Sequence, residues 1–253
     1  MVKIVVFDSG LGSLSIINAI QKICKSEIIY FADQKNFPYG KKSKKQLGRI
    51  IKQTIKLLEE KFSPDVIVMA SNTPSLMVKI TNRKVVGVNP PIKEAMILSK
   101  TKNIAILGTR AAIKSKSLSS YIKKFNFAKN KKIHKVNSSI LVELVESNKF
   151  ITDKVYCKKI IKKTLDDIFS DKIDIATLSS THLSFLKSLL SSEFPQVKFI
   201  DPANIVARNV LVNIKKNKSK KNTIKIFTSG NVKLFEKNLH ILGIRNKVSF
   251  LST

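Results

Sequence analysis

The fold is decided by the stretch Asp65-Val-Ile-Val-Met-Ala-Ser71-Asn72-Thr73-Pro74-Ser75, which has a counterpart in Asp174-Ile-Ala-Thr-Leu-Ser-Ser180-Thr181-His182. Each stretch is a short apolar run followed at once by small polar residues. That pattern is typical of a buried strand whose carboxyl end opens into a loop. Because ligands bind at the carboxyl ends of the strands in open α/β sheets, the two stretches predict two halves of one site.

Strand-like apolar runs alternate with helical periodicity along the whole chain. The predicted strands are residues 3–7, 27–32, 65–69, 85–88, 104–107, 132–137, 174–178, 197–200, 224–228 and 248–251. The predicted helices are residues 14–23, 43–62, 111–125, 140–146, 153–169, 182–190, 205–214 and 232–242, with Ser43 as the cap of the second. This alternation predicts an α/β fold with mainly parallel sheets, and its restart near residue 100 predicts two similar lobes.

Composition limits the classes of protein to which the chain can belong. No apolar run approaches the roughly 20 residues of a membrane helix, and the first residues lead straight into a strand without the layout of a signal peptide. Cys24 and Cys157 stand far apart, and three scattered histidines have no ligand spacing. We therefore expect no disulfide framework, no metal site and a cytoplasmic location.

The formal charge of +30 invites a nucleic-acid function. Basic clusters lie at residues 41–45, 123–132 and 215–221. Only five of the 47 basic residues are arginines, and no aromatic platform interleaves with the lysines. The composition favours solvated, lysine-rich helix faces, with non-specific polyanion binding as a by-product.

Two alternative chemistries have weak support in the sequence. Gly10-Leu-Gly12 half-matches a dinucleotide fingerprint, and Asp33 stands near the distance expected of a ribose-binding acid. However, Ser15 takes the third position, and Asp8 would repel a pyrophosphate. No Gly-x-Ser-x-Gly elbow surrounds either serine of the opening stretches, which disfavours a hydrolase. We therefore expect no cofactor.

Taken together, these segments resemble the glutamate racemase family of cofactor-independent amino-acid racemases. The residues that carry the resemblance are Phe7-Asp8-Ser9-Gly10-Leu11-Gly12, Phe31-Ala32-Asp33, Pro38-Tyr39-Gly40-Lys41-Lys42-Ser43, Asn72-Thr73, Gly108-Thr109 with Lys114-Ser115, Leu141 to Glu146, Thr181-His182 and Thr228-Ser229-Gly230. The resemblance implies two Rossmann-like lobes with the active-site cleft between them. It implies residues 1–98 with 207–253 as the N-terminal lobe and residues 99–206 as the second.

The resemblance also implies a two-base proton transfer at the α-carbon of L- or D-glutamate or a related acidic amino acid. In the family both groups are cysteines, and their positions here are Ser71 and Ser180. Asp8 matches the acid that assists the first group, whereas Glu146 and His182 match the pair that assists the second. The positions matching those that hold the substrate or cover the pocket are Ser9, Pro38, Tyr39, Gly40, Asn72, Thr73 and Thr181.

Serine at both positions leaves two hypotheses. A serine hydroxyl titrates far above a thiol, and each pKa unit of mismatch is worth about 1.4 kcal/mol, so the first hypothesis is a racemase with altered or weakened activity. The alternative is a catalytically inactive family member that binds an acidic amino acid or docks a macromolecular partner through its basic surface. A homodimer is compatible with either.

Several of these residues also have ordinary structural interpretations. Asp8 precedes a helix and could cap it, and His182 could cap or pack at the start of its own helix. His134 and His240 have no partners in any motif and are expected to be surface or packing residues. Three further departures from the family pattern affect pocket shape and substrate choice: Leu183 for tyrosine, Pro90 for glutamate and Ser179 for glycine.

Overall fold

A computed structural model describes residues 2–125, 132–169, 172–214 and 221–253. Its strands are β1 Lys3–Asp8, β2 Glu27–Ala32, β3 Val66–Met69, β4 Val85–Gly87, β5 Asn103–Gly108, β6 Lys132–Asn137, β7 Ile175–Leu178, β8 Lys198–Ile200, β9 Thr223–Thr228 and β10 Val248–Phe250. Its helices are α1 Ser13–Ile23, α2 Lys44–Phe62, α3 Asn72–Met77, α4 Ile92–Leu98, α5 Arg110–Lys114, α6 Lys116–Lys123, α7 Ser139–Glu146, α8 Lys149–Thr152, α9 Lys154–Phe169, α10 Lys187–Glu193, α11 Ala203–Asn213 and α12 Val232–Ile241. Three 3-10 helices cover Gln34–Asn36, Tyr39–Lys41 and Thr181–Leu186.

The chain divides into two compact units, and each contains one parallel sheet. Unit 1 comprises Met1–Val88 with Ala203–Thr253, and unit 2 comprises Asn89–Pro202. The sheet of unit 1 has the strand order β10-β9-β2-β1-β3-β4, and that of unit 2 has the order β6-β5-β7-β8. Every strand pair in both sheets is parallel. The predicted α/β fold with parallel sheets is therefore confirmed.

Helix α2 covers one face of the first sheet. Ser43 begins it with a capping box: its Oγ accepts from the Gln46 backbone amide at 3.3 Å, and the Gln46 side chain accepts from the Ser43 amide at 3.1 Å. The apolar side of the helix is buried among the strands through Leu47, Ile51, Thr54, Ile55 and Leu58. Burying a leucine or isoleucine stabilises the fold by roughly 1.5–3 kcal/mol, so this face fixes the helix and leaves its other face to solvent.

Helix α9 likewise packs its apolar face against the core of unit 2. It buries Cys157, Ile161, Leu165 and Phe169 at intervals of four residues, and this face packs into the core around β5 and β7. Burial raises the pKa of the Cys157 thiol, and the nearby Asp153 carboxylate adds to the shift. Cys24 is also buried and forms no disulfide. Within the described residues, no helix has both the length and the apolar character needed to span a bilayer.

The structure corrects the predicted elements at several places. The single helix expected over residues 111–125 is wrong, because Ser115 ends α5 and caps α6 by accepting from the Leu118 amide at 3.0 Å. The helix predicted from residue 182 to 190 starts as a 3-10 helix and becomes α10 at Lys187. Helix α3 begins at Asn72, where the residues after β3 were predicted to open into a loop. Helix α4, after Pro90 and Pro91, had no predicted counterpart.

Two of the predicted basic clusters lie partly outside the described residues. Residues 126–131 belong to the second cluster, and residues 215–220 belong to the third. The first cluster, at residues 41–45, lies wholly within the described part of the chain.

The Asp174 carboxylate joins the start of β7 to the segment that follows α4. It accepts hydrogen bonds from Ser99 Oγ and the Lys100 amide at 2.6 Å each, and from the Thr101 amide and hydroxyl at 3.1 and 2.9 Å. Burial works to raise the pKa of Asp174, but these hydrogen bonds together outweigh it and hold the pKa below its ordinary value. The carboxylate therefore stabilises the folded state above its ordinary pKa, and this contribution is lost as the pH falls through the lowered value.

Replacing Asp174 by asparagine is expected to lower the free energy of unfolding by about 1–2 kcal/mol at pH 7, since an amide cannot accept from all four donors as well as a carboxylate. The deficit should shrink towards pH 3, because the wild-type carboxylate is increasingly protonated as the pH falls from its ordinary pKa through the lowered value. Urea unfolding at both pH values measures it. Asp166→Asn, at an exposed position of α9, is the matched control and should change little at either pH.

Candidate active site

The order in which strands are added to the first sheet reverses at β1, because β2 lies on one side of β1 and β3 lies on the other. Such a switch point opens a crevice at the carboxyl ends of the two flanking strands. Phe7 pairs with Met69, and the Ala70 amide donates to the Phe7 carbonyl at 2.8 Å. The backbone therefore brings the residues that follow β1 and β3 to the same edge of the sheet. We call the polar residues gathered there the Ser71 cluster: Asp8, Ser9, Tyr39, Ser71, Asn72 and Thr73.

Asp8 ends β1 and is 1% exposed. Its Oδ1 accepts from the backbone amide of Ser9 at 2.7 Å. Helix α1 has Gly12 at its N-cap position, without a side-chain hydrogen bond, so Asp8 is not the N-cap residue of that helix. A buried carboxylate at a switch point costs desolvation energy, and such costs concentrate at functional sites.

Ser71 lies between β3 and α3 and is half-buried. Its hydroxyl makes no hydrogen bond to any described residue, whereas its carbonyl accepts from Ser75 Oγ at 2.7 Å. Ser75 Oγ in turn accepts from the Val88 amide at 2.9 Å. This clamp fixes the backbone of Ser71 while its hydroxyl stays available to a ligand.

The Asn72 side chain is 2% exposed, and only one of its two polar atoms has a hydrogen-bond partner among the described residues. Its Nδ2 donates to the Val88 carbonyl at 3.0 Å, which fixes the amide orientation, but its buried Oδ1 has no partner among the described residues. An unsatisfied buried acceptor costs about 1–3 kcal/mol. A ligand ammonium group would remove that cost. Thr73, the next residue, is also buried.

Tyr39 connects the Ser71 cluster to a second buried acid. Its amide donates to Ser9 Oγ at 3.4 Å, and its hydroxyl donates to Asp33 Oδ2 at 2.8 Å. Burial raises the pKa of Tyr39 well above its ordinary value, and the negative charges of Asp33 and Asp8 add to the shift. The phenol therefore remains a donor at neutral pH. Its neighbours Pro38 and Gly40 form the turn around it.

Asp33 itself is fully buried, and sequence reasoning gave it no role in an amino-acid site. Besides Tyr39, it accepts from Ser229 Oγ at 3.0 Å and from Asn36 Nδ2 at 3.0 Å to each oxygen. Ser229 Oγ also accepts a hydrogen bond from the Lys35 backbone amide at 3.1 Å. The signal that could have found this group was the presence of both Asp33 and Ser229 in the segments that carry the family resemblance.

The second sheet has its own switch point at β5, which is flanked by β6 and β7. The Ser179 amide donates to the Leu107 carbonyl at 2.8 Å. This bond brings the end of β7 beside Gly108 and Thr109, where a Cβ on Gly108 would approach the Ser179 carbonyl to 3.4 Å. We call the polar residues at this edge the Ser180 cluster: Glu146, Ser180, Thr181 and His182.

Ser180 is 6% exposed and stands at the start of the 3-10 helix Thr181–Leu186. Its carbonyl accepts from the Leu183 amide at 3.0 Å, but its side chain makes no hydrogen bond to any described residue. Thr181 is buried beside it. Both opening stretches therefore contain, just after the strand, a serine with a fixed backbone and an available hydroxyl.

His182 Nε2 and Glu146 Oε1 form a hydrogen-bonded pair. Glu146 ends α7, and α7 packs against the 3-10 helix that carries His182. Both side chains are largely buried. A carboxylate in this position orients the imidazole. The pair therefore holds an imidazole in a fixed orientation two residues beyond Ser180 in the chain.

Several residues named from the sequence lie outside these clusters. His134 is in β6, with Nε2 buried and unpaired among the described residues, and His240 is exposed in α12. Leu183 is fully buried in the apolar core of unit 2. Ser179 Oγ forms a hydrogen bond with Thr177 Oγ1 at 2.9 Å, and the Pro90 carbonyl accepts from the Tyr121 hydroxyl at 3.4 Å.

Among the described residues, no group of three or more His, Cys, Asp or Glu could hold a metal ion.

Comparison with known proteins gives consistent relatives, although no family model matches the chain. It is 34% identical over 217 residues to the glutamate racemase of Actinobacillus pleuropneumoniae serotype 3, covering 82% of this chain and 80% of the relative. It is 32% identical over 244 residues to the glutamate racemase of Sulfurihydrogenibium sp., covering 94% and 92%.

Two solved structures share its fold. A glutamate racemase isoform from Bacillus anthracis superposes with a TM-score of 0.85 at 24% identity, over 99% of this chain and 97% of that one. The Escherichia coli glutamate racemase, solved with L-glutamate and the activator UDP-MurNAc-ala, superposes with a TM-score of 0.84 at 24% identity. The match covers 99% of this chain and 98% of that one.

Proposed function

Because this chain belongs to the glutamate racemase family of amino-acid racemases, we propose that it is a cofactor-independent racemase of an acidic amino acid such as glutamate, weakened by serine at both base positions. The observation that carries the proposal is the repeated arrangement at the two switch points. Each brings a serine with an available hydroxyl to the same sheet edge as a largely buried proton-accepting group.

The proposed chemistry is a two-base transfer at the α-carbon. One cluster removes the proton from one face of the substrate, and the other delivers a proton to the opposite face. Ser71 and Ser180 stand, in this proposal, where the family has its two thiols. Asp8 assists Ser71, and the Glu146–His182 pair assists Ser180.

The serines set the expected rate. A thiol has an ordinary pKa of about 8.5, so it is partly ionised near neutral pH, whereas a hydroxyl is not. General bases work best with a pKa close to the working pH. Proton transfer is therefore slow if it passes through the hydroxyls, and Asp8 and His182 are the competing direct bases.

Substrate binding follows from the hydrogen-bonding capacities of the Ser71 cluster. Asn72 Oδ1 has an unused acceptor position that suits the substrate ammonium. Ser9 Oγ already accepts from the Tyr39 amide, so its own proton is free to be donated to the substrate carboxylate. Thr73 and Thr181 supply further short donors, and the turn of Pro38, Tyr39 and Gly40 covers the ligand.

Deuterium wash-in at the α-carbon of L- and D-glutamate and of L- and D-aspartate, followed by NMR, tests this function. We expect slow exchange with at least one of these amino acids, and loss of it in the double variant Asp8→Asn, His182→Asn. Exchange that survives in Ser71→Ala, Ser180→Ala would assign the proton transfer directly to the acid and the histidine. Wild-type exchange no faster than that of the Asp8→Asn, His182→Asn variant would exclude an active enzyme.

The second candidate function is binding without turnover. It is favoured by one specific observation: the two positions proposed for the bases carry hydroxyls. Calorimetric binding of glutamate without any deuterium exchange would support it. Non-specific polyanion binding through the basic surface is a further part of the proposal, motivated by the net charge of +30.

A further inference from the structure

We propose that the exposed face of α2 binds the sugar-phosphate backbone of duplex nucleic acid, independently of base sequence and of the racemase chemistry. This face, the α2 basic face, consists of Lys44, Lys45, Arg49 and Lys52. These residues, together with Gly48 and Gln53, line an open groove of about 720 Å³ on the surface of unit 1.

The charge of this region is segregated. Residues 34–58 contain eight lysines and arginines and no aspartate or glutamate. Among the described residues, the ion pair found on α2 joins Lys56 to Glu60 at 3.8 Å, beyond the groove. By contrast, Lys158 and Lys162 of the equally lysine-rich α9 both pair with Glu193, at 2.8 and 3.6 Å. The α2 basic face therefore carries uncompensated positive charge.

The position of two of these lysines adds to that charge. Lys44 and Lys45 lie in the first turn of α2, and the first turn contains no acidic residue. A helix N-terminus already bears about half a positive charge, so a cationic side chain there is repelled. A bound phosphate would relieve this repulsion.

The geometry suits an extended anion. Lys45, Arg49 and Lys52 are spaced by four and three residues and so share one side of the helix, over about 10 Å at a rise of about 1.5 Å per residue. One strand of B-DNA carries a phosphate about every 3.4 Å along its axis, which allows about three contacts. Gly48 leaves the floor of the groove open, because a Cβ there would meet no atom within 4 Å.

The chemistry of the face selects among anionic partners. Its exposed residues are all polar or charged, and the apolar side chains of α2 face the core. It therefore offers no aromatic ring for base stacking, as single strands require, and no apolar side chain to insert into a bilayer. Contact with phosphates alone suits a duplex.

Fluorescence anisotropy with a labelled duplex of about 20 base pairs and mixed sequence, titrated from 50 to 200 mM salt, tests the proposal. The variant Lys45→Gln, Arg49→Gln, Lys52→Gln should bind at least tenfold more weakly. Its slope of log affinity against log salt should be smaller by about 2.7, which is about 0.9 for each lost phosphate contact. The matched control Lys154→Gln, Lys159→Gln, Lys163→Gln removes the same charge from exposed positions of α9 and should change affinity less than twofold.

Three results would overturn the proposal. The first is no binding by the wild type at 50 mM salt. The second is an equal loss of affinity in the two triple variants, which would assign the effect to net charge rather than to α2. Tighter binding to vesicles of 30% phosphatidylserine in phosphatidylcholine than to the duplex would assign the face to a lipid surface instead. Glutamate binding should be the same in both triple variants, so failure here leaves the racemase proposal untouched.

Discussion

Replacing Ser71 and Ser180 together by cysteine is expected to raise glutamate racemisation by on the order of 10³-fold, since several pKa units separate a hydroxyl from a thiol and each unit is worth about tenfold. The substitution exchanges one small side chain for another at positions whose backbones are already fixed. Ser71 is clamped through its carbonyl by Ser75, and Ser180 through its carbonyl by the Leu183 amide. Circular dichroism and α-deuterium exchange of both enantiomers measure the gain.

The two single cysteine variants serve as controls for the two-base scheme. Each has one competent base, so each should exchange the α-proton of one enantiomer much faster than that of the other, and the preferred enantiomer should differ between Ser71→Cys and Ser180→Cys. A double variant that binds glutamate but exchanges neither enantiomer would contradict the assignment of the Ser71 and Ser180 clusters to a racemase site.

The sequence predicted those elements whose determinants are local. The bounds of β2 and β6 agree with the predicted strands, and Ser43 with Gln46 marks the start of α2. Local pattern misled where a short helix depends on tertiary contacts. The small polar residues after β3 resemble a loop, yet α3 forms there because Ser75 Oγ joins its first turn to the Val88 amide.

The candidate site was predictable in part for the same reason. Asp8 and the two serines stand at strand ends, which periodicity alone locates. Glu146 and His182 are 36 residues apart, and only the family resemblance linked them. Asp33 and Ser229 are 196 residues apart. Their contact depends on β9, from the C-terminal segment, pairing with β2 in register from Glu27 with Thr223 to Ala32 with Thr228, and no local pattern encodes that pairing.

Asp33→Asn is expected to weaken glutamate binding by roughly 5- to 150-fold, the equivalent of the 1–3 kcal/mol for a buried donor left without its acceptor. Asp33 touches no reacting atom in the proposed mechanism; it is a positioning residue that acts through Tyr39. Its carboxylate accepts from the Tyr39 hydroxyl, from Ser229 and from Asn36. An asparagine must turn its amide nitrogen towards one of these donors, which releases the Tyr39 turn that orients Ser9.

Calorimetric titration of glutamate, with thermal unfolding alongside, distinguishes positioning from a general structural role. Ser229→Ala keeps the carboxylate and removes one donor, so it should weaken binding less than Asp33→Asn. Because the raised pKa of Tyr39 keeps its phenol protonated, this difference should persist from pH 6 to 9. A lower melting temperature for Asp33→Asn with unchanged glutamate affinity would show that the buried acid supports only the fold. Loss of affinity at an unchanged melting temperature would instead assign to Asp33 the task of holding Tyr39 and Ser9 in the geometry that receives the substrate.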